Sequence, residues 1–254
     1  MTPALAIEAT ALTKRYDDAT AVDDLDLAIP EGTVYGFLGP NGAGKTTTMQ
    51  MLTTLTRPTS GTASVAGRPI ADREAVVPHI GYLPEEPPLF EELTGREQLQ
   101  YVAGLRDLPK REAAARIDEL FDRFDLADAA EKRIGAYSKG MKQKAGIIQA
   151  ILHEPEVVFL DEPTSGLDPR AARTVRETIA HLAAEETTVF LSTHILPVVD
   201  ELADTVGVLS NGSLVTEGSP DALKRRAETG EHRTLEDVFL EVTSEVDYPE
   251  GEVA

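Results

Sequence analysis

Between Val34 and Thr48 the chain reads Val-Tyr-Gly-Phe-Leu-Gly-Pro-Asn-Gly-Ala-Gly-Lys-Thr-Thr-Thr, and no other stretch limits the possible folds as much. It contains Gly39-x-x-x-x-Gly44-Lys45-Thr46, the spacing of a phosphate-binding loop. Glycines let the backbone take positive φ and approach a ligand closely. Several N–H groups then point inward as a nest for an anion. A helix starting near Gly44 adds its positive end beneath the phosphates. Lys45 is long enough to reach the β- and γ-phosphates, and the Thr46 hydroxyl can sit on Mg²⁺. The motif needs a strand before it and a helix after it. Apolar Val34, Tyr35, Phe37 and Leu38 precede it, and a helix-like run from Thr47 to Leu55 follows. The stretch by itself predicts nucleotide phosphate binding.

The rest of the chain narrows the setting. Its 254 residues give ample length for a core, in one large domain or two small ones. Cysteine is absent, which removes disulfides and thiolate metal sites and suits a reducing interior. No apolar run approaches the roughly 18 residues of a membrane span. Met1-Thr2-Pro3 opens no charged region followed by an apolar stretch, so no secretory signal is expected. The expectation is a soluble cytoplasmic chain. A net charge of −20 disfavours direct binding to nucleic acid or to anionic lipid.

Taken in order, residues 5 to 38 read as three strands, with Leu25, Leu27 and Ile29 alternating with polar partners. Tyr16 lies near the end of the first. An aromatic there either stacks on a purine base or closes an ordinary strand end, and the residues alone leave both open. Arg57-Pro58-Thr59-Ser60-Gly61 is expected to break the chain before a short strand at Ala63–Ala66 and a helix near Asp72–Val77. The strand Ile80–Leu83 must end irregularly, because Pro84, Pro87 and Pro88 follow within five residues. Residues 94 to 152 look all-helical. Thr94-x-x-Glu97 is a capping box, Ala113, Ile117, Leu120, Phe121 and Phe124 form one apolar stripe, and a third helix starts at Ser138.

Strand character resumes at Val157–Leu160, whose continuous apolar run indicates burial on both faces of a parallel sheet. Asp161-Glu162 ends it. There Asp161 can hold Mg²⁺ opposite Thr46, while Glu162 can accept a proton from an attacking water. Asp168-Pro169 supplies a cap and first-turn proline for a helix to about Ala184. Thr188–Leu191 leads to Ser192-Thr193-His194, and Asn211-Gly212 signals a hairpin. Ser219-Pro220 and Thr234 start two terminal helices. From Glu228 onward nine acidic residues face one basic residue, Arg233, and a solvated tail is expected.

These motifs, in this order, resemble the ATP-binding-cassette ATPases over nearly the whole chain. The resemblance implies a P-loop NTPase (RecA-like) α/β fold. Its mostly parallel sheet carries N-terminal antiparallel strands and an inserted all-helical subdomain. The expected division is one nucleotide-binding domain over 1–254, with a core at 1–86 and 153–218, the helical subdomain at 87–152 and C-terminal helices with an acidic tail at 219–254. Gly39, Pro40, Asn41, Gly42, Ala43, Gly44, Lys45, Thr46 and Thr47 match the Walker A region that binds ATP, and Leu160-Asp161-Glu162 the Walker B end. Ser165-Gly166-Leu167-Asp168 matches the D-loop, and His194 the switch histidine that contacts the γ-phosphate. Tyr16 falls where the family places its adenine-stacking aromatic.

Two positions depart from the family's pattern. The signature is Tyr137-Ser138-Lys139-Gly140-Met141 in place of Leu-Ser-Gly-Gly-Gln, keeping Ser138 and Gly140. Glu85 stands where most members carry a glutamine that touches Mg²⁺ and the reacting water. A carboxylate also coordinates Mg²⁺ but, when ionised, donates no hydrogen bond.

In this family the signature serine faces ATP on the other protomer. A second nucleotide-binding domain, as homodimer or paralogue, is therefore an expected partner. A separate membrane permease is the other, contacted through the irregular Glu85–Leu93 joint at the cytoplasmic face of the membrane. No direct nucleic acid and no lipid anchor are expected. Ile80–Glu86 and the terminal Leu235-Glu236-Asp237-Val238-Phe239-Leu240-Glu241 are similar to the ABC-2, drug-resistance-like exporters. Two other readings stay open at this point: a soluble cassette ATPase acting on ribosomes or nucleic-acid structures, and a P-loop phosphotransferase.

Only 8 of the 24 basic residues are lysine. An acidic, lysine-poor chain of this kind reads either as adapted to high salt, where screening relieves self-repulsion, or as merely acidic; adaptation is the expectation. Denaturant unfolding should show stability rising from low to molar KCl, and indifference to salt would contradict this.

Overall fold

The computed structural model describes residues 4–17, 19–226, 235–236 and 239–240. Two sheets form the frame. Strands β1 (Leu5–Tyr16), β2 (Ala19–Pro30), β4 (Ser60–Val65) and β5 (Arg68–Pro69) make an antiparallel sheet in the order β2-β1-β4-β5. The larger sheet also contains β3 (Val34–Leu38), β6 (Ile80–Leu83), β7 (Val157–Asp161), β8 (Thr188–Thr193), β9 (Thr205–Ser210) and β10 (Ser213–Gly218). Its order is β10-β9-β3-β8-β7-β6, parallel except for β10 at the edge. Over the described residues up to 226, eight α-helices accompany the strands: α1 (Lys45–Leu52), α2 (Arg73–Val76), α3 (Gly95–Leu105), α4 (Lys110–Arg123), α5 (Lys139–Ile151), α6 (Pro169–Ala184), α7 (Leu196–Leu202) and α8 (Pro220–Arg226). Between β6 and β7 the chain makes helices and no strand.

The continuous apolar strands are buried on both faces, as a parallel sheet requires. On one face Val158, Leu160, Val189 and Leu191 pack against Ile117, Phe121, Ile147, Ile151, Val175 and Ile179 of the helices. On the other, Tyr35, Phe37, Phe159 and Phe190 pack against Ile7, Leu12, Leu25 and Ile29 of the antiparallel sheet. Register places Phe190 opposite both Phe159 and Tyr35. Its ring centroid lies 5.5 Å from each and 5.1 Å from that of Phe37, spacings at which aromatic pairs gain beyond area burial.

Local signals hold in most places. The Thr94 capping box, the Ser138 cap of α5 and the Asp168 cap of α6 all form. Three boundaries differ. β4 begins at Ser60, inside the expected break, because Gly61 (φ +81) lets it cross β1 where a side chain would strike Ala11. The two-residue β5 carries too little pattern to be read. Helix α1 starts at Lys45 and stops at Leu52, with Thr54 turned to φ 63. Residues 235, 236, 239 and 240 are helical; Thr234 and the acidic tail lie outside the described residues.

Helix α5 lies against β6 with almost no gap. A side chain on Gly81 would meet the Ala150 carbonyl, and one on Gly146 would come within 2.7 Å of Leu83 and Pro87. At the C-terminal end of α5, His153 Nε2 bonds the Ile80 carbonyl at 2.9 Å, and Arg106 donates to the Val77 carbonyl at 2.7 Å. Burial, reinforced by Arg106, lowers the His153 pKa from 6.5 to about 4. The imidazole is thus neutral in the fold and takes a proton from pH 6.5 downward only on unfolding. Its contribution is present above pH 6.5 and lost as pH falls to 4, on the order of 3 kcal/mol. Unfolding at pH 7 and 4.5 should show a shallower loss for His153→Gln, whose amide keeps the donor without the titration.

Candidate functional site

Loop 39–44 joins β3 to α1 and bends back on itself with Gly42 at φ +81 and Gly44 at φ +105. Gly44 also has to be small, because a side chain there would strike the Ala21 carbonyl. The Lys45 side chain doubles back over the loop and donates to the carbonyls of Gly39 at 2.7 Å and Pro40 at 3.2 Å. It is 7% exposed, and its Nζ stands 3.8 Å from Glu162 Oε1. Burial lowers its pKa, while the charges of Glu162, Asp161 and Glu85 pull the other way.

Strand β7 delivers two carboxylates to the same place. Asp161 is 2% exposed, and its Oδ2 accepts from the Thr46 hydroxyl at 2.9 Å. Its Oδ1 is buried and has no hydrogen-bond partner among the described residues. Burial raises the Asp161 pKa, the Thr46 and Ser192 hydroxyls oppose it, and the charges of Glu162 and Glu85 add to the rise. Glu162 leaves the strand in a left-handed turn, φ 47. Its Oε1 lies 2.9 Å from His194 Nδ1, and its Oε2 accepts from the Thr193 hydroxyl at 3.0 Å. Strand β8 supplies Thr193 and, just beyond its end, His194.

Pro40 to Thr47, Glu85, Asp161, Glu162 and His194 line one cavity of about 450 Å³. Gly39 sits behind it, its carbonyl bound to Lys45. Besides Gly39, four expected residues stand outside its lining. Tyr16 is 45% exposed, with Lys14 Nζ 4.8 Å from its ring centroid. Ser138 accepts from Met141 N–H at the start of α5, and Gly140 faces Ala171 of α6. Asp168 accepts from Arg170 and Ala171 N–H groups. The cavity also contains Ser165 and Ala21, and Thr193 anchors Glu162. Sequence reasoning assigned none of these three a role; Ser165 lies in the Ser-Gly-Leu-Asp run and Thr193 adjoins His194.

The site can take a polyphosphate at the loop and a hard cation at the carboxylates. Oδ1 of Asp161, with Thr46 beside it and Glu85 across the cavity, is an oxygen donor set of the kind Mg²⁺ uses.

Residues 22–165 match the family model described as ABC transporter. The daunorubicin resistance ATP-binding protein DrrA3 of Streptomyces coeruleorubidus is 45% identical over 90% of this chain and 72% of that protein. The bacitracin transport ATP-binding protein BcrA of Bacillus licheniformis is 41% identical over 87% of this chain and 72% of its own length. A solved ATP-binding subunit of an ABC transporter superposes with a TM-score of 0.85 at 32% identity, covering 94% of this chain and 99% of that one. CbiO1 of Clostridium perfringens, part of the transporter complex cbiONQ, gives 0.76 at 26% identity, over 86% and 90% of the two chains.

A carboxylate pushed up by burial weakens the fold above its ordinary pKa, because the folded state then holds a charge it would rather neutralise. Asp161→Asn keeps an acceptor for Thr46 and removes that charge. Without nucleotide it should be more stable than the parent by about 1 kcal/mol at pH 7.5 in urea. A loss of stability of that size would show that the carboxylate holds the fold together.

Proposed function

We propose, from the premise that this chain belongs to the ABC transporter family and within it to the ABC-2 type drug-resistance exporter branch, that its cavity holds ATP with Mg²⁺ and that Glu162 is the base of hydrolysis. The chain is an ATPase subunit that dimerises around ATP and energises a separate membrane permease. The relatives do not favour the ribosome or nucleic-acid reading. Among the described residues no helix is long and apolar enough to cross a membrane. We infer attachment at the cytoplasmic face through the permease.

The observation that carries the site assignment is the unsatisfied Asp161 Oδ1, buried beside the Thr46 hydroxyl in the cavity that Lys45 borders. Thr46, Asp161 and Glu85 would hold Mg²⁺, which supplies charge neutralisation for the phosphate oxygens. The loop amides and the positive end of α1 take the phosphates. Lys45 exchanges its contacts with the Gly39 and Pro40 carbonyls for phosphate oxygen, and its proton is held more firmly as negative charge arrives. Glu162 is then released from Lys45 but stays oriented by Thr193 and His194. It takes the proton of a water whose oxygen attacks the γ-phosphorus, and ADP departs. His194, its side chain 48% exposed, reaches the cavity mouth and contacts the γ-phosphate. Tyr16 stacks on adenine. Ser138 and Gly140, which lie outside their own cavity, face the nucleotide of the partner protomer, with Asp168 at the same seam.

We assign 1–86 and 153–218 to the catalytic core, 87–152 to the helical subdomain and 219–254 to a C-terminal extension. The Glu85–Leu93 joint meets the permease. Its Phe90 is exposed and stands edge-on to exposed Tyr101 at 5.6 Å, next to which α3 presents Leu105. Glutamine 98 ties this joint down: its Oε1 accepts from Phe90 N–H at 3.1 Å and its Nε2 donates to Gln149 at 2.8 Å.

With saturating ATP and Mg²⁺, Glu162→Gln should hydrolyse at least about a hundredfold more slowly and accumulate as a dimer by light scattering. A variant that stays monomeric would remove the shared-nucleotide arrangement. Lys45→Ala should lose at least about two orders of magnitude in Mg·ATP affinity by titration calorimetry.

A further inference from the structure

We propose that Lys139 is a positioning residue for the hydrolytic site, acting through Gly166 on the loop that carries Ser165; this rests on the reading of the cavity as the site of ATP hydrolysis. Helix α5 begins at Lys139, directly after its cap Ser138, and has no acidic residue in its first turn. Three of the chain's eight lysines fall at 139, 142 and 144. A cation at the positive end of a helix is electrostatically disfavoured, so its side chain needs another reason to lie where it does. Lys142 has one, an ion pair with Glu91 at 2.6 Å. Among the described residues Lys139 has no ion-pair partner.

Its side chain instead runs across Gly166. A Cβ built on Gly166 would collide with Nζ, approach Cε to 3.3 Å and Cδ to 3.7 Å. Gly166 sits at φ +66, in the left-handed region. The residue before it, Ser165, lines the cavity beside Glu162 and His194, and its N–H donates to the Glu162 carbonyl at 3.1 Å. One step along α5, a Cβ on Gly140 would lie 3.1 Å from Ala171 Cβ and 3.9 Å from Leu167 Cδ2. The first turn of α5 therefore lies against the loop at Gly166 and Leu167 and against α6 at Ala171. Lys139 is the strap across the point where that loop is most free to rotate, since glycine restrains its own backbone least. A shift of α5 is passed to Ser165 and the Glu162 backbone without any contact between α5 and the nucleotide of its own protomer. Lys139 and Gly166 are both exposed, and the tip of the side chain lies nearest the glycine; with no ion-pair partner among the described residues, what the strap supplies is reach across Gly166 and not an ion pair.

Lys139→Ala and Lys139→Met separate these contributions. In steady-state hydrolysis Lys139→Ala should lower kcat at least fivefold while the Kd for a fluorescent Mg·ATP analogue changes less than twofold. Lys139→Met, unbranched and one atom shorter, keeps the chain as far as the ε position, which lies 3.3 Å from a Cβ built on Gly166, and should restore kcat to within twofold. Absence of cysteine permits a second readout that needs no nucleotide: Ser165→Cys, alkylated by iodoacetamide, should react at least threefold faster when Lys139 is alanine and at the parent rate when it is methionine. Unchanged kcat and labelling in Lys139→Ala overturn the proposal, as does a methionine variant as impaired as the alanine one. Hydrolysis absent from the parent chain overturns the ATPase reading instead, and the labelling rates still decide whether Lys139 straps the loop.

Discussion

One ammonium and two carboxylates are buried together at the carboxyl ends of β3 and β7, and much of the fold serves to keep them there. Lys45, Asp161 and Glu162 are each less than a tenth exposed. Burying charge is costly unless it is paired and hydrogen-bonded. The carbonyls of Gly39 and Pro40 and the hydroxyls of Thr46 and Thr193 supply part of that compensation. They do not supply all of it, since Lys45 is pulled down by burial, Asp161 is pushed up, and Asp161 Oδ1 is left without a partner. A polyphosphate with a cation completes what the protein leaves incomplete.

The parallel sheet makes this possible because neighbouring strands end on the same side, the usual place for a ligand in an open α/β sheet. Strand β3 ends in the loop, β7 in the acidic pair, and β8 in Thr193-His194. Along an extended strand, Asp161 and Glu162 would point to opposite faces. The left-handed φ of Glu162 breaks that alternation and turns both carboxylates into one cavity. Such a conformation costs a non-glycine residue on the order of 1 kcal/mol. Thr193, His194 and Lys45 hold the side chain in place against it.

The helical block joins this core through unusually close contacts. Gly81 and Gly146 let α5 lie directly on β6, the strand that leads to Glu85. Beyond β6, Gln98 fixes the proline-rich joint, so a force on exposed Phe90 reaches α3 and α5 through hydrogen bonds as well as packing. The opposite end of α5 abuts the loop that carries Ser165. A single helix thus touches both the surface assigned to the permease and the loop that lines the nucleotide cavity.

How much of this was legible beforehand follows from the range over which each feature is encoded. The phosphate loop, the Thr94, Ser138 and Asp168 caps, the Ala113–Phe124 stripe and the doubly buried strands are written within a few residues, so composition and spacing determined them. So did Lys45, Thr46, Asp161, Glu162 and His194 as chemically apt groups. The sheet order decided the remainder. The Thr46–Asp161 hydrogen bond spans 115 positions and exists because β8, later in sequence than both, inserts between β3 and β7. The same insertion brings Thr193 to Glu162 and Ser165 to the cavity, while Ser138, Gly140, Asp168 and Tyr16 remain outside its lining. Short-range propensity names the parts; only closure of long loops, driven by burial of the apolar strand faces, settles which of them meet.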